Sequence, residues 1–377
     1  MNPDNKAGIG IYIHIPFCIR KCLYCDFVSS PGSPDSVRKY MEALVREIRL
    51  CGEAGTEADT IFIGGGTPSI VPPALLDKVL EEIYKVFKVS PVAEITMEAN
   101  PGTLSHEKLY AYRKMGISRL SIGLQSADND ELKSLGRIHT FEDFLISWEE
   151  ARKAGFDNIN IDLMTAVPGQ TRESLLRTLK TAAELSPEHI SAYSLIVEEG
   201  TPFSEMKLSL PDEETEYLMY DDTTDFLESH GFRQYEISNF AVPGKECIHN
   251  IAYWTRKDYL GFGISAASLR KDERYRIKTD MELYQSEWTD RNALITDREY
   301  LEPADRMEEF MFLGLRMTEG VSRDRFKKLF GHEMDEIYGD VIEKHRGYGL
   351  LDEAEGRIFL TRHGIHVSNQ VMADFLL

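Results

Sequence analysis

Six times in the first 205 residues a short β-rich run is followed by a helical stripe, and no other feature narrows the fold so far. The runs cover residues 11–16, 60–63, 94–98, 119–124, 158–163 and 189–196. Several are apolar on both parities, as strands covered on two faces are. Between them, Val37, Met41, Leu44, Val45 and Ile48 form an apolar stripe at helical spacing. Leu75, Val79, Leu80 and Ile83 form another, and so do Leu175, Leu179 and Ala182. Strand then helix, repeated, predicts an α/β fold around a parallel sheet. Periodicity leaves a partial barrel and an open doubly wound sheet as alternatives.

The unusual residues gather at one end of these strands. Cys18, Cys22 and Cys25 follow the first run, and Gly64-Gly65-Gly66-Thr67-Pro68 follows the second. Glu98-Ala-Asn100-Pro-Gly102 closes the third, and Gln125 and Ser126 close the fourth. Asp162 lies late in the fifth, and Tyr193 to Ile196 end the sixth. Carboxyl ends of parallel strands carry the chemistry of α/β barrels and open sheets, so the site is expected there.

Beyond residue 205 the rhythm changes. Residues 206–230 read as an acidic helix, with Asp212, Glu213, Glu214 and Glu216 at its start. Residues 231–270 read as irregular and aromatic, so 206–300 is expected to connect two larger parts. Two helical stretches from Glu302 to Leu329 and a final helix near Ser368 make 301–377 a small, mainly helical, winged-helix-like domain. Its 319–362 stretch carries no basic stripe, which argues for docking or lid duty over DNA binding. The whole chain has 63 acidic against 43 basic residues, a net charge of −20. That balance excludes nonspecific nucleic-acid binding, which requires cations to neutralise phosphates. No apolar run is long enough for a membrane helix, and residues 1–8 are polar, so the expected compartment is the cytoplasm.

The chemistry starts from Cys18-Ile-Arg-Lys-Cys22-Leu-Tyr-Cys25. Three thiolates in eight residues can wrap a soft metal centre. Zinc normally takes a fourth protein ligand. Cys51 sits on an expected helix, Cys247 is remote, and position 27 is Phe27, so no fourth ligand is evident. A four-iron cluster held by three cysteines keeps one iron open for a small molecule. A zinc knuckle, or simply buried cysteines, is the competing reading. Arg20 and Lys21 in the same loop can offset cluster charge, meet an electron donor or be merely solvated.

The cysteine spacing and the glycine motif resemble the radical S-adenosylmethionine (SAM) superfamily. The resemblance narrows with Tyr12-Ile-His-Ile-Pro-Phe-Cys18, Ser121-Ile-Gly-Leu-Gln125-Ser126, Gly136-Arg137 and Asn160-Ile-Asp162. These are similar to the oxygen-independent coproporphyrinogen III oxidase family. Two features point to its haem-chaperone branch, usually called HemW. Phe27 stands where the oxidase carries a further cysteine, and His249-Asn250-Ile-Ala-Tyr253-Trp254 matches the branch's His-Asn-x-x-Tyr-Trp motif. Ala166 departs from a frequent glycine in the loop after the fifth strand.

The resemblance implies a partial (β/α)6 barrel and a smaller C-terminal domain. It implies Cys18, Cys22 and Cys25 as ligands of a [4Fe–4S] cluster. Tyr12, Tyr24, Gly65, Gly66, Thr67, Glu98, Gln125, Arg137 and Asp162 would line SAM pockets, with Glu98 on the α-ammonium, Arg137 on a carboxylate and Asp162 on ribose. Gln125, Arg137 and Asp162 match a second SAM site of the oxidase. Reductive cleavage of SAM to methionine and a 5′-deoxyadenosyl radical is implied, without decarboxylation of coproporphyrinogen. Haem is implied as the cargo, with haem-requiring respiratory enzymes as clients and a separate electron donor. His249 is the first candidate axial ligand, covered by Tyr253, Trp254, Tyr259 and Phe262, and Cys247 is the second. His14, alternating with apolar residues in the first strand, is expected to point into the barrel. A true coproporphyrinogen oxidase is the rival function.

Overall fold

The computed structural model describes residues 8–377; the polar stretch before Gly8 lies outside them. Six parallel strands form its centre: β1 (Ile9–Ile15), β2 (Glu57–Gly65), β3 (Lys88–Ala99), β4 (Arg119–Gln125), β5 (Ile159–Thr165) and β6 (His189–Ser194). They neighbour one another in chain order, as right-handed strand–helix units stacked in sequence do. The alternate side chains Ile11, Ile61, Ile95, Leu120, Ile161 and Ile190 are buried in the main core, beneath the helices. The opposite parity faces the barrel interior and carries the polar residues. The first helix, Pro34–Arg49, shows how local chemistry sets these units. Ser33 caps it by accepting from the Ser36 N–H, Pro34 enters at the first turn, and Val37, Met41, Leu44 and Ile48 are buried. It ends before Cys51, which therefore sits beyond the helix rather than on it.

The segment after residue 230 is more regular than its sequence suggests. β7 (Arg233–Glu236) and β8 (Asn239–Ala241) form a hairpin that adds to β6. β9 (Tyr259–Phe262) pairs in parallel with β1, and β10 (Ala267–Arg270), β11 (Glu273–Ile277) and β12 (Ile295–Tyr300) continue outward. Both edges of the six-strand array are thus extended, giving a twelve-stranded mixed sheet. Strands of three to six residues are too short for alternation to declare them, which is why the sequence reads as irregular.

A second core lies beyond residue 306, around Phe310, Met311, Phe326, Tyr338, Ile342 and Phe375. Helices Pro303–Gly314, Arg323–Phe330 and Met334–Gly347 pack with a small antiparallel sheet of β13 (Val321–Ser322), β14 (Leu351–Ala354) and β15 (Arg357–Leu360). The Met334–Gly347 helix and the β14–β15 hairpin fill the stretch between Leu329 and Ser368, for which the sequence reading names no element. Buried Glu309 accepts from Arg256 at 2.7 Å, and Arg362 donates to Asp221 at 2.8 Å, tying this unit to the sheet.

Ala166, just after β5, is 4% exposed and has φ of 57°, the left-handed region. A Cβ there costs about 1 kcal/mol, the physical reason glycine suits this position. Ala166→Gly is expected to raise the unfolding free energy by about 1 kcal/mol in urea titration. Equal or lower stability would show that the strain is relieved elsewhere.

Candidate functional site

The cysteine loop is clasped to the barrel through its backbone. Gly66 N–H donates to the Ile15 carbonyl at 2.8 Å, and Thr67 N–H donates to the Phe17 carbonyl at 2.7 Å. A Cβ on Gly66 would lie 2.7 Å from the Phe17 carbonyl oxygen, so only glycine permits this approach. On the return, Ser30 N–H donates to Pro16 and Cys18 N–H donates to Ser30. Leu23, between the second and third cysteines, donates to Leu135 and accepts from Phe203. Lys21 Nζ donates to the Phe27 carbonyl at 2.9 Å, closing the loop on itself.

Inside the barrel, His14 supports this loop. Its Nε2 donates to the Val28 carbonyl at 2.9 Å, so its Nδ1 accepts from the Tyr12 hydroxyl at 3.1 Å. Burial keeps the imidazole neutral by lowering its pKa.

A second chain of hydrogen bonds runs beneath the thiols. Arg137 Nη2 donates to the Gly123 carbonyl at 2.7 Å and to Asn100 Oδ1 at 2.9 Å. Asn100 donates to Thr67 Oγ1 at 2.9 Å, and Thr67 donates to Cys18 Sγ at 3.4 Å. Arg137 Nη1 lies 3.5 Å from Cys22 Sγ. Two of the three sulfurs thus already face donors suited to thiolates. Within the protein, asparagine and a backbone carbonyl hold Arg137. Burial raises the Cys25 thiol pKa, while the Phe27 backbone and then Lys21 oppose the rise. Among the described residues no three His, Cys, Asp or Glu side chains are disposed to hold a single ion. Ligands of a four-iron cluster bind separate irons and need not converge.

Below the loop lies a cavity of about 220 Å³, which brings together Tyr12, Gly65, Glu98, Asp162 and His249 from the predicted set. Ser121, Asn160, Ser191, Tyr193 and Arg119 also line its wall, and Phe27 reaches it from the cysteine loop. Register explains the gathering: Glu98 pairs with Ser121, and Asp162 with both Gly123 and Ser191. Glu98 accepts from the Gly65 N–H at 3.0 Å. Burial first, and Asp162 second, push its pKa up to about 7. Asp162 accepts from Ser121 at 2.9 Å and Asn160 at 2.7 Å, yet burial still raises its pKa. Tyr24 stands outside this cavity, packed toward Phe203, and Thr67 and Arg137 line a neighbouring crevice with Cys22. Gln125 is buried at the end of β4 with φ of 72°.

His249 closes the floor from helix Ile248–Trp254. It is 1% exposed, stacked on Phe62, with Nδ1 bonded to Thr60 at 2.8 Å and Nε2 to the Tyr253 hydroxyl at 3.0 Å. Burial lowers its pKa to about 3. An open axial imidazole is therefore not what the fold presents. Tyr253 meets the ring edge-on and Tyr259 backs Tyr253, but Trp254 turns toward Arg316 and Phe262 toward Phe87. Cys247 is fully buried beside Glu94, and burial pushes its thiol up to about 12, so it too is a neutral structural group.

The radical SAM superfamily model matches residues 12–182, and the HemN C-terminal domain model matches residues 301–367. "Heme chaperone HemW" of Bacillus subtilis (strain 168) is 39% identical over 372 residues, 97% of this chain and 98% of the relative. The chain belongs to the HemW family of radical SAM proteins. "Heme chaperone HemW" of Escherichia coli (strain K12) is 32% identical, covering 98% of both. The solved coproporphyrinogen III oxidase HemN of Escherichia coli shares the fold, with a TM-score of 0.87 at 23% identity over 98% of this chain and 90% of that one. Radical SAM membership brings a [4Fe–4S] cluster and SAM. The thiol loop, its donors and the glycine clasp fit that pair.

With a folded pKa above its unfolded value, Glu98 favours folding at low pH and loses that contribution as the pH rises through about 7. SAM-free protein is expected to lose stability between about pH 5 and about pH 8 more steeply than Glu98→Gln, in urea titrations across that range. Parallel pH profiles would contradict the buried, raised carboxyl.

Proposed function

We propose that this chain is a cytoplasmic, SAM-binding [4Fe–4S] haem chaperone, which binds haem and passes it to haem-requiring client proteins while an electron donor serves the cluster. The observation that carries the reading is the closed unit of cysteine loop, carboxylate cavity and His249 helix in a chain whose full-length relatives are called haem chaperones. No helix among the described residues is long and apolar enough to cross a membrane, consistent with a mobile carrier.

Cys18, Cys22 and Cys25 hold the cluster, with Thr67 and Arg137 as donors to two of the sulfurs. When bound, cluster and SAM supply one-electron reductive chemistry. Gly65, Gly66 and Thr67 approach the methionine end, Glu98 takes its ammonium, and Tyr12, Tyr24, Gln125, Arg137 and Asp162 orient the rest. Glu98 is suited to this because an incoming cation favours its ionised form. The oxidase reading is weaker here because Phe27, 65% exposed on the cluster loop, offers no thiol where the oxidase carries one.

A cavity of about 220 Å³ cannot enclose a whole haem, whose ring is assigned to the mouth, where the exposed Phe27 lines the cavity. His249 then acts by positioning the floor through Thr60 and Tyr253. Anaerobic reconstitution followed by haem titration tests this. Wild type and His249→Ala are both expected to bind haem with the same Soret maximum. No haem-linked change in wild type with its cluster intact would remove the chaperone reading. A shifted maximum in His249→Ala would make His249 the axial ligand. Protoporphyrinogen formed from coproporphyrinogen with SAM and reductant would install the oxidase instead.

A further inference from the structure

The barrel cavity contains a cation for which the site above has no use. Arg119 opens β4 beside Thr96 of β3, its register partner. It is 2% exposed and lines the cavity, yet its Nε has no hydrogen-bond partner. Thr96 Oγ1 is unpartnered as well. The anionic and polar groups around this guanidinium are engaged elsewhere. Asp162 accepts from Ser121 and Asn160, Glu94 accepts from Cys247 and the His249 N–H, and the Tyr235 hydroxyl bonds His189. Glu94 and Asp162 balance the charge of Arg119 through space without capping its donors. A buried guanidinium with an unfilled fork is costly unless something completes it, and a carboxylate matches that planar fork.

We infer that Arg119 is the receiving group of a carboxylate subsite at the foot of the barrel cavity. Cavity size restricts the ligand to an arm rather than a macrocycle. SAM's amino-acid end belongs with the cluster, at the opposite end. Resting on the haem-chaperone reading, the arm is a propionate of the tetrapyrrole whose ring occupies the mouth.

The full chain with its cluster reconstituted is the test material. Sodium propionate is titrated against propionamide and sodium chloride at matched ionic strength while Tm is followed. Propionate alone is expected to raise Tm, Arg119→Gln to abolish the increment, and Arg119→Lys, which keeps charge but not the fork, to reduce it. Absence of the increment in wild type, or its full retention in either variant that keeps its cluster absorbance, overturns the subsite. Metal-free protoporphyrin and its dimethyl ester then test the source. The diacid is expected to bind wild type about tenfold more tightly than the ester, and Arg119→Lys to narrow that ratio. Equal binding of acid and ester overturns the propionate assignment. Failure of both porphyrins to bind, with the propionate increment intact, removes the chaperone reading and leaves the carboxylate subsite standing.

Discussion

The site depends on the clasp between the ends of β1 and β2. Gly66 and Thr67 donate to the Ile15 and Phe17 carbonyls, and the missing Cβ of Gly66 allows it. Because those bonds are backbone to backbone, the cysteine loop inherits the rigidity of the central sheet. Gly65 adds a second close contact: at φ of 109°, a Cβ there would lie 2.5 Å from the His14 ring. One glycine run thus seats the loop above and the His14–Tyr12 pair below. A side chain at either position would part the thiols from the cavity they cover.

Electrostatics divides the interior into layers. Near the thiols are donors and a cation, Thr67 and Arg137, aimed at sulfur. In the middle are two buried carboxyls, Glu98 and Asp162, whose ionised forms are disfavoured until a cationic ligand arrives. At the foot are neutral imidazoles, His189 and His249, both lowered by burial, and Arg119. Such an order suits a ligand whose cationic group lies at the level of the carboxyls, beneath the thiols. It also keeps the net charge of −20 remote from the chemistry, since most of that charge lies on the surface.

Much of this was legible in the chain. The six-unit repeat, the strand-end placement and the cysteine spacing are local signals, and the fold preserves them. Alternation in the first strand predicts that His14 points inward, where it bonds Tyr12 of the cavity wall. What was not legible depends on tertiary partners. The strands from Arg233 to Tyr300 are only three to six residues long and exist because β1 and β6 offer open edges. His249 reads as an available ligand until Thr60, 189 residues away in sequence, takes its Nδ1. Its spacing of four from Tyr253 on one helix was the available hint that the two would bond. Arg119 reads as the polar start of a strand; only the assembled barrel shows its Nε without a partner.

In the proposed function the three thiols hold a cluster with an iron left open to a ligand in the cavity beneath. Electron paramagnetic resonance of the reconstituted, reduced protein, recorded before and after SAM is added, measures that most directly. A reduced [4Fe–4S] signal that changes on SAM addition is expected. An unaltered signal, or zinc as the sole metal after strict anaerobic purification, would contradict it.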